Sequence, residues 1–390
     1  MKNIVFTYIT PFHPERGGIG RVTHTLTIEL QKRGYHVFYL IYNSTITIKH
    51  EFNYPAPLTY LPSKELMSPE NIEFYHRYLQ DNNINTVINQ SGNFSDSELW
   101  LNTGNKNIRI ISVLHSSPWV SYKNLWSSDI FPLKNNSKIE KFKRLARIVL
   151  YPKIKRQCKQ HRIQQFTSLL PKTDFVCPLS KKYYSELNEI CPGFEYKYFA
   201  IPNPNSYTNT LIQKSKKRKK KQVLFVGLFG SPKREDRIIK IWKRLYMDFP
   251  DWELVMVGDG HPDRVRYLRK ISSGIPNIRF EGFQNPLPYQ QEASIFCMTS
   301  NYEGWGMVLT EAMQCGTVPI AFNSFAAATD IITHRKNGIL VSPFNMNEYE
   351  KELRNLMSDI RFLQQMSTQA KKDIQKFSVE NVVNLWEQIL

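Results

Sequence analysis

Asn301 to Pro319 reads N-Y-E-G-W-G-M-V-L-T-E-A-M-Q-C-G-T-V-P, and the fold turns on how this stretch is read. Ala293 to Thr299, just before it, is an apolar run of strand length, and Gly316 with Pro319 closes the segment that follows. The local pattern is strand, glycine-rich turn, helix, strand. In an open α/β sheet such a turn lies at the carboxyl edge of the strands, where ligands bind. Gly304 and Gly306 allow close backbone approach and leave the first helical N–H groups open, which suits a phosphate. Glu303 and Glu311 are eight residues apart. On a continuous helix they would be separated by about 12 Å and turned roughly 80° from each other, so they cannot serve one atom as an acid/base pair. With Glu303 in the turn and Glu311 in the helix they could hold two ends of an elongated ligand. A loop Glu followed by a solvated helix Glu fits the spacing equally well.

Working outward, 390 residues exceed what one core usually serves and predict two domains. The net charge of +18 calls for an anionic partner, whether nucleic acid, a phosphorylated ligand or an acidic membrane surface. Cys158, Cys177, Cys191, Cys297 and Cys315 form no CxxC and are odd in number, as expected of buried thiols in a reducing compartment. No apolar stretch approaches the length of a membrane span, and the short run Lys2 to Thr10 lacks a cleavage site. A cytoplasmic protein is expected.

The N-terminal half has a Rossmann-type rhythm. Asn3 to Ile9 reads as a strand, Gly17-Gly18-Ile19-Gly20 opens a helix from about Arg21 to Lys32, and Tyr35 to Tyr42 is the next strand. The glycines do not match GxGxxG and no acidic residue closes the second strand, so a dinucleotide fingerprint is absent. Strands follow at Thr86 to Asn89, Ile108 to Leu114 and Thr173 to Pro178. His115 falls at the carboxyl end of its strand, on the ligand edge, although a loop histidine bound to backbone has the same signature. Between Lys134 and Arg162 eleven Lys or Arg face Glu140 alone, interrupted by Leu145, Ile148, Val149, Leu150 and Tyr151. That pattern fits either an amphipathic surface for anionic lipid or a solvated helix.

Lys214 to Lys221 is a run of charge after a stretch rich in Asn, Pro, Ser and Thr, read as a linker that repels itself and does not pack. No aromatic platform, zinc spacing or helix-turn-helix pattern supports nucleic-acid binding. The second half repeats the first: strands at Gln222 to Phe229, Trp252 to Val257 and Ile278 to Phe280, with a helix carrying Ile238, Ile239, Trp242 and Leu245.

Phe225-Val226-Gly227 with Lys233, Val257-Gly258-Asp259-Gly260, Phe280-Glu281-Gly282, Glu303 to Glu311 as an E-x7-E motif, and Asn337-Gly338-Ile339-Leu340-Val341 together resemble glycosyltransferase family 4, of the bacterial surface-polysaccharide type. The resemblance covers most of Gln222 to Pro343 and is thinner in the first half, at Gly17 to Gly20, His115, Leu179-Ser180 and Ile201 to Pro204. It implies an α/β chain of GT-B fold, two Rossmann-like domains facing a central cleft. The acceptor-side domain would span 1–205, a basic linker 206–221, the donor domain 222–372, and a C-terminal helix at 373–390 would cross back. The implied activity is retaining transfer of a sugar from a nucleotide sugar, a UDP- or GDP-sugar, to a glycan or lipid-linked acceptor. The alternatives are another GT-B enzyme (a sugar-phosphate synthase or an epimerase) and a basic nucleic-acid-binding protein.

By the same resemblance Glu311 would hold ribose hydroxyls, Glu303 the donor sugar, and the backbone around Gly304, Trp305, Gly306, Met307 and Val308 the diphosphate. Gly227, Lys233 and Arg234 would line that site, with Lys233 neutralising the leaving group. His115 would stabilise charge at the anomeric carbon, and Gly17 and Gly18 would reach the phosphates. No D-x-D occurs, in keeping with chemistry that needs neither metal nor cofactor, where helix dipole and cations act instead. The expected location is the cytoplasm, with peripheral contact to the inner face of the plasma membrane through 134–162. One position departs from the family: Leu228 follows Gly227 where an Arg is usual, which leaves Arg234 or Arg237 to replace it or Lys233 to act alone.

Overall fold

A computed structural model of the protein describes residues 2–14, 17–42, 52–92, 97–125, 145–214 and 217–390. Two six-stranded sheets organise the described residues, and their strands pair in parallel. The first contains β1 (Asn3–Tyr8), β2 (His36–Ile41), β3 (Leu58–Tyr60), β4 (Thr86–Asn89), β5 (Arg109–Leu114) and β6 (Phe175–Pro178) in the order β3-β2-β1-β4-β5-β6. The second contains β7 (Lys220–Val226), β8 (Glu253–Val257), β9 (Ile278–Gly282), β10 (Ala293–Met298), β11 (Val318–Phe322) and β12 (Ile339–Val341) in the order β12-β11-β10-β7-β8-β9. Both are the doubly wound arrangement in which the first and fourth strands are neighbours, and the chain changes direction of travel between them. Because helices cover both faces of such sheets, central strands read as unbroken apolar runs. All of β4 and β11 is buried.

The described residues up to Trp119, with Gln157–Ser206 and Phe377–Leu390, form one compact unit; those of Val120–Arg156 and Tyr207–Lys376 form the other. In the first, the helix Val379–Glu387 lies against Gly18–Lys32, with Val382, Val383 and Trp386 buried. Arg33 Nη1 donates to Asn384 Oδ1 and Glu387 Oε2, both at 2.6 Å. In the second, the helix Glu235–Leu245 puts Glu235 and Asp236 in its first turn and Lys243 and Arg244 in its last, matching its dipole. Its buried stripe of Ile238, Ile239, Ile241, Trp242 and Leu245 packs on Val223, Phe225 and Leu254. Truncating one such aliphatic side chain to Ala costs about 2–5 kcal/mol.

Two expectations about basic segments meet different outcomes. Of the run at 134–162, residues 134–144 lie outside the described residues. The stretch read as a non-packing linker includes a helical turn, Asn209–Lys214, and the start of β7; residues 215 and 216 lie outside the described ones. Four of its described lysines have partners. Lys217 and Lys220 both pair with Glu292, and Lys221 pairs with Asp251. Lys219 Nζ donates to Gln290 O (3.0 Å), Ala293 O (2.7 Å) and Thr317 Oγ1 (2.6 Å). Burial pushes this amine down to about 7. Sequence could not reveal this, because the acceptors lie 71 to 98 residues away.

Candidate functional site

The neighbouring strands β7 and β10 mark the switch point of the second sheet, so the turns that leave their carboxyl ends flank its ligand crevice. After β7, Gly227 N donates to Val257 O (3.0 Å) and Phe229 N to Asp259 O (2.7 Å). A Cβ on Gly258 would fall 1.9 Å from Gly227 O, so only glycine permits this approach. The chain then turns tightly, with Lys233 N and Arg234 N both donating to Gly230 O and Arg234 at φ +48°.

The turn after β10 is stitched to it. Asn301 N donates to Pro232 O (2.8 Å), Asn301 Nδ2 to Ser231 O (3.3 Å), and Thr299 Oγ1 to Arg234 O (2.9 Å). This stitching brings Lys233 and Glu303 together: Nζ lies 2.7 Å from Oε1, and Ser300 Oγ donates to the same oxygen at 2.7 Å. The lysine chain runs over Gly227, where an added Cβ would sit 3.4 Å from its Cε. Both side chains keep modest exposure, 22% for Lys233 and 14% for Glu303.

The helix Met307–Gln314 starts at Gly306, in the left-handed region at φ +84°. Trp305 is buried just before it. Met307 and Val308 are therefore in a first turn whose N–H groups lack intrahelical acceptors. Glu311 is one turn further in and entirely buried, with Gln290 Nε2 at 3.4 Å from Oε2. A solvated helix Glu is excluded. A ligand reaches this carboxylate only when the atoms around it give way.

Both arginines expected to replace the one absent at Leu228 already have partners within the protein. Arg234 Nε donates to Asp236 Oδ1 at 3.0 Å. Arg237 Nη1 donates to Thr299 O (3.0 Å), and its guanidinium lies over the Phe344 and Phe322 rings at 4.7 and 5.6 Å. Burial, with the charge of Arg234 adding to it, pushes Arg237 down to about 10. Leu228 itself is exposed. Lys233 is thus the cation of the predicted set that faces Glu303.

A buried ion cluster behind the turn escaped sequence reading. Arg264 Nε donates to Glu235 Oε1 (2.5 Å) and Nη2 to Asp236 Oδ1 (2.8 Å), while Glu235 Oε2 accepts from Gly230 N (3.1 Å). Burial pushes the Asp236 carboxyl up, but Arg234 and Arg264 outweigh it and hold the group well below the usual carboxylate range. The cluster fixes the turn that presents Lys233.

In the first unit, the helix begins at Gly18, three residues before the expected Arg21, because Gly17 at φ +97° serves as its N-cap. Gly17 and Gly18 are exposed. His115 follows β5, and its Nε2 lies 2.6 Å from Oε1 of Gln90, which follows β4 and is 1% exposed. An amide oxygen only accepts, so Nε2 carries the hydrogen and Nδ1 keeps its lone pair. Val22, Leu26, Val113, Leu179, Ile201 and Pro202 surround the pair, and burial pushes His115 down to about 4. The ring is a neutral acceptor. Gln90 was missed in the sequence, although β4 and β5 run in register, Asn89 opposite Ser112.

Residues 208–373 match the sequence model of the family described as Glycosyl transferases group 1. The chain is 31% identical over 195 residues to an uncharacterized glycosyltransferase of Haemophilus influenzae, covering 49% of this chain and 54% of that protein. It is 26% identical over 218 residues to an N-acetylgalactosaminyltransferase acting on a diphospho-undecaprenol-linked sugar in Campylobacter jejuni, covering 54% and 58% respectively. The chain thus spans little more than half the length of these curated relatives. Among solved structures, TarM of S. aureus, crystallised with Fondaparinux, alpha-GlcNAc-glycerol and UDP, aligns over 100% of this chain and 99% of its own at TM-score 0.75 and 13% identity. The fold is that of the GT-B glycosyltransferases.

Proposed function

We propose that the chain is a retaining glycosyltransferase that moves a sugar from a UDP- or GDP-sugar to a glycan or lipid-linked acceptor. The Lys233–Glu303 pair carries this reading: it lies at the switch point beside the open helix start at Gly306, inside the region that matches the family. UDP in the TarM structure and the lipid-linked substrate of the Campylobacter relative support the choice of donor and acceptor class.

In this reading the amides from Trp305 to Val308 receive the diphosphate, aided by the positive end of the helix dipole. Lys233 neutralises charge on the departing phosphate, and Glu303 turns to a hydroxyl of the donor sugar. Glu311 takes the ribose hydroxyls in place of its present neighbours. In the first unit, His115 keeps an acceptor at Nδ1, and Gly17 and Gly18 lie exposed at a helix start. The C1–O bond to the diphosphate breaks, and the acceptor oxygen bonds C1 on the same face. The acceptor's proton passes to the leaving phosphate oxygen. No protein nucleophile takes part.

The test is slow release of nucleotide from a panel of UDP- and GDP-sugars, alongside thermal shift with the same panel. Release abolished by Glu311→Ala and by His115→Ala is the expected result. A protein that neither binds nor hydrolyses any nucleotide sugar, yet retains its folded signal, would sink the proposal.

A further inference from the structure

The helix Tyr151–Leu169 carries Lys153, Lys155, Arg156, Lys159 and Arg162 and no Asp or Glu. Its helical backbone extends toward the N-terminus: residues 145–149 are helical, Leu150 N donates to Ala146 O (2.9 Å) and Ile154 N to Leu150 O (3.0 Å). Positions 145, 149, 153, 156 and 160 therefore form one stripe at helical spacing. Along it lie Leu145, Val149, Lys153, Arg156 and Gln160, all exposed, with Leu150 beside them. Leu145, Val149 and Leu150 are 60%, 73% and 50% exposed.

The other basic groups of this helix have partners. Lys155 lies over the Tyr122 and Tyr151 rings, Lys159 pairs with Glu189, and buried Arg162 donates to Pro118 O. Lys153 and Arg156 point outward beside the aliphatic end. Three exposed aliphatic side chains one turn from two outward cations make a surface with two needs, an apolar layer and a plane of negative charge above it. A lipid interface supplies both at that separation. Nucleic acid supplies only the second, and Leu and Val give no stacking platform for bases.

We propose that the stripe Leu145–Val149–Lys153–Arg156 docks the protein on an anionic bilayer, with the aliphatic end in the acyl boundary and the cations among headgroup phosphates. None of the described helices is long and apolar enough to cross a membrane, so the contact lies on the surface. The proposal stands on this stripe alone and is independent of the transfer reaction.

The test uses the full chain and co-sedimentation with vesicles of phosphatidylcholine, pure or mixed with phosphatidylglycerol. The protein should pellet with the mixed vesicles and stay in solution with the pure ones. Lys153→Gln with Arg156→Gln should weaken binding about thirtyfold at low salt. Leu145→Ser with Val149→Ser should remove the part of binding that persists in high salt. Nucleotide release in vesicle-free solution should be unchanged in both double variants. Equal pelleting with both vesicle types, or wild-type pelleting of both double variants, overturns the proposal. So does tight binding of a DNA duplex that the same cation substitutions abolish.

Discussion

Lys233 Nζ and Glu303 Oε1 meet at 2.7 Å although 70 residues separate them, because the turns after β7 and β10 are stitched along their backbones. The pair joins the two sides of the switch point, and a diphosphate arriving there competes with Glu303 for the lysine. Lys233→Met should weaken UDP or GDP binding about 10- to 100-fold, the value of a lost charge-assisted hydrogen bond. Glu303→Gln should leave nucleotide binding equal or tighter while lowering sugar release by about tenfold or more. Titration calorimetry on both single variants and the double variant checks the coupling. Equal loss of nucleotide affinity in both singles would show that the pair acts only as a structural strut.

Arg264 neutralises two buried carboxylates. Arg264→Met leaves Glu235 and Asp236 without it and should destabilise the protein by about 3–5 kcal/mol. Asp236 is held below its ordinary value of 3.8, so its stabilisation is fully present above about that pH and fades as pH falls further. Denaturant unfolding at pH 7 and pH 3 should show the gap between wild type and variant narrowing in acid.

Burial pushes His115 in the fold down to about 4 from an ordinary 6.5. Between those values the unfolded chain holds a proton that the folded ring refuses, so its contribution to stability falls as pH drops from about 6.5 toward 4. The melting-temperature difference between wild type and His115→Asn should therefore shift against wild type between pH 7.5 and pH 5. Gln90→Glu places a carboxylate against Nε2 and should raise the ring's pKa, adding an acid limb nearer neutral pH to nucleotide release. Gln90→Leu should lower kcat with little change in KM.

Lys219 is neutral in the fold above about 7, whereas an unfolded lysine keeps its proton to about 10.5. Stability from this site rises with pH across that window, since the unfolded chain there binds the extra proton. Lys219→Met should cost about 1–3 kcal/mol at neutral pH. The cost should grow between pH 7 and pH 9 in thermal unfolding.

The parallel sheets were legible because strands covered on both faces leave continuous apolar runs, as at Val318–Phe322 and in Ile295–Met298. The Glu303-to-Glu311 spacing was legible because turn and helix are local. Groups made by distant chain were not. Arg234 and Arg237 looked free in the sequence, which displays neither the Asp236 carboxylate beside one nor the two phenylalanine rings under the other. Gln90 gave no signal, since its meaning depends on a strand 25 residues on. The basic run before β7 misled for the same reason: sequence displays its charges but not Glu292, Asp251 or the carbonyl cage around Lys219.

The helix Val379–Glu387 lies on the first unit, with Trp386 near Val22 and Leu26, but 170 residues, Tyr207 to Lys376, intervene in the chain. On a ribosome adding about 5–20 residues per second, that interval lasts about 8–35 s. For that time the first unit has its whole sheet but an uncovered apolar flank along Gly18–Lys32, while the second unit can fold to completion. The nascent protein is therefore most exposed to aggregation and to chaperone capture at the part synthesised first.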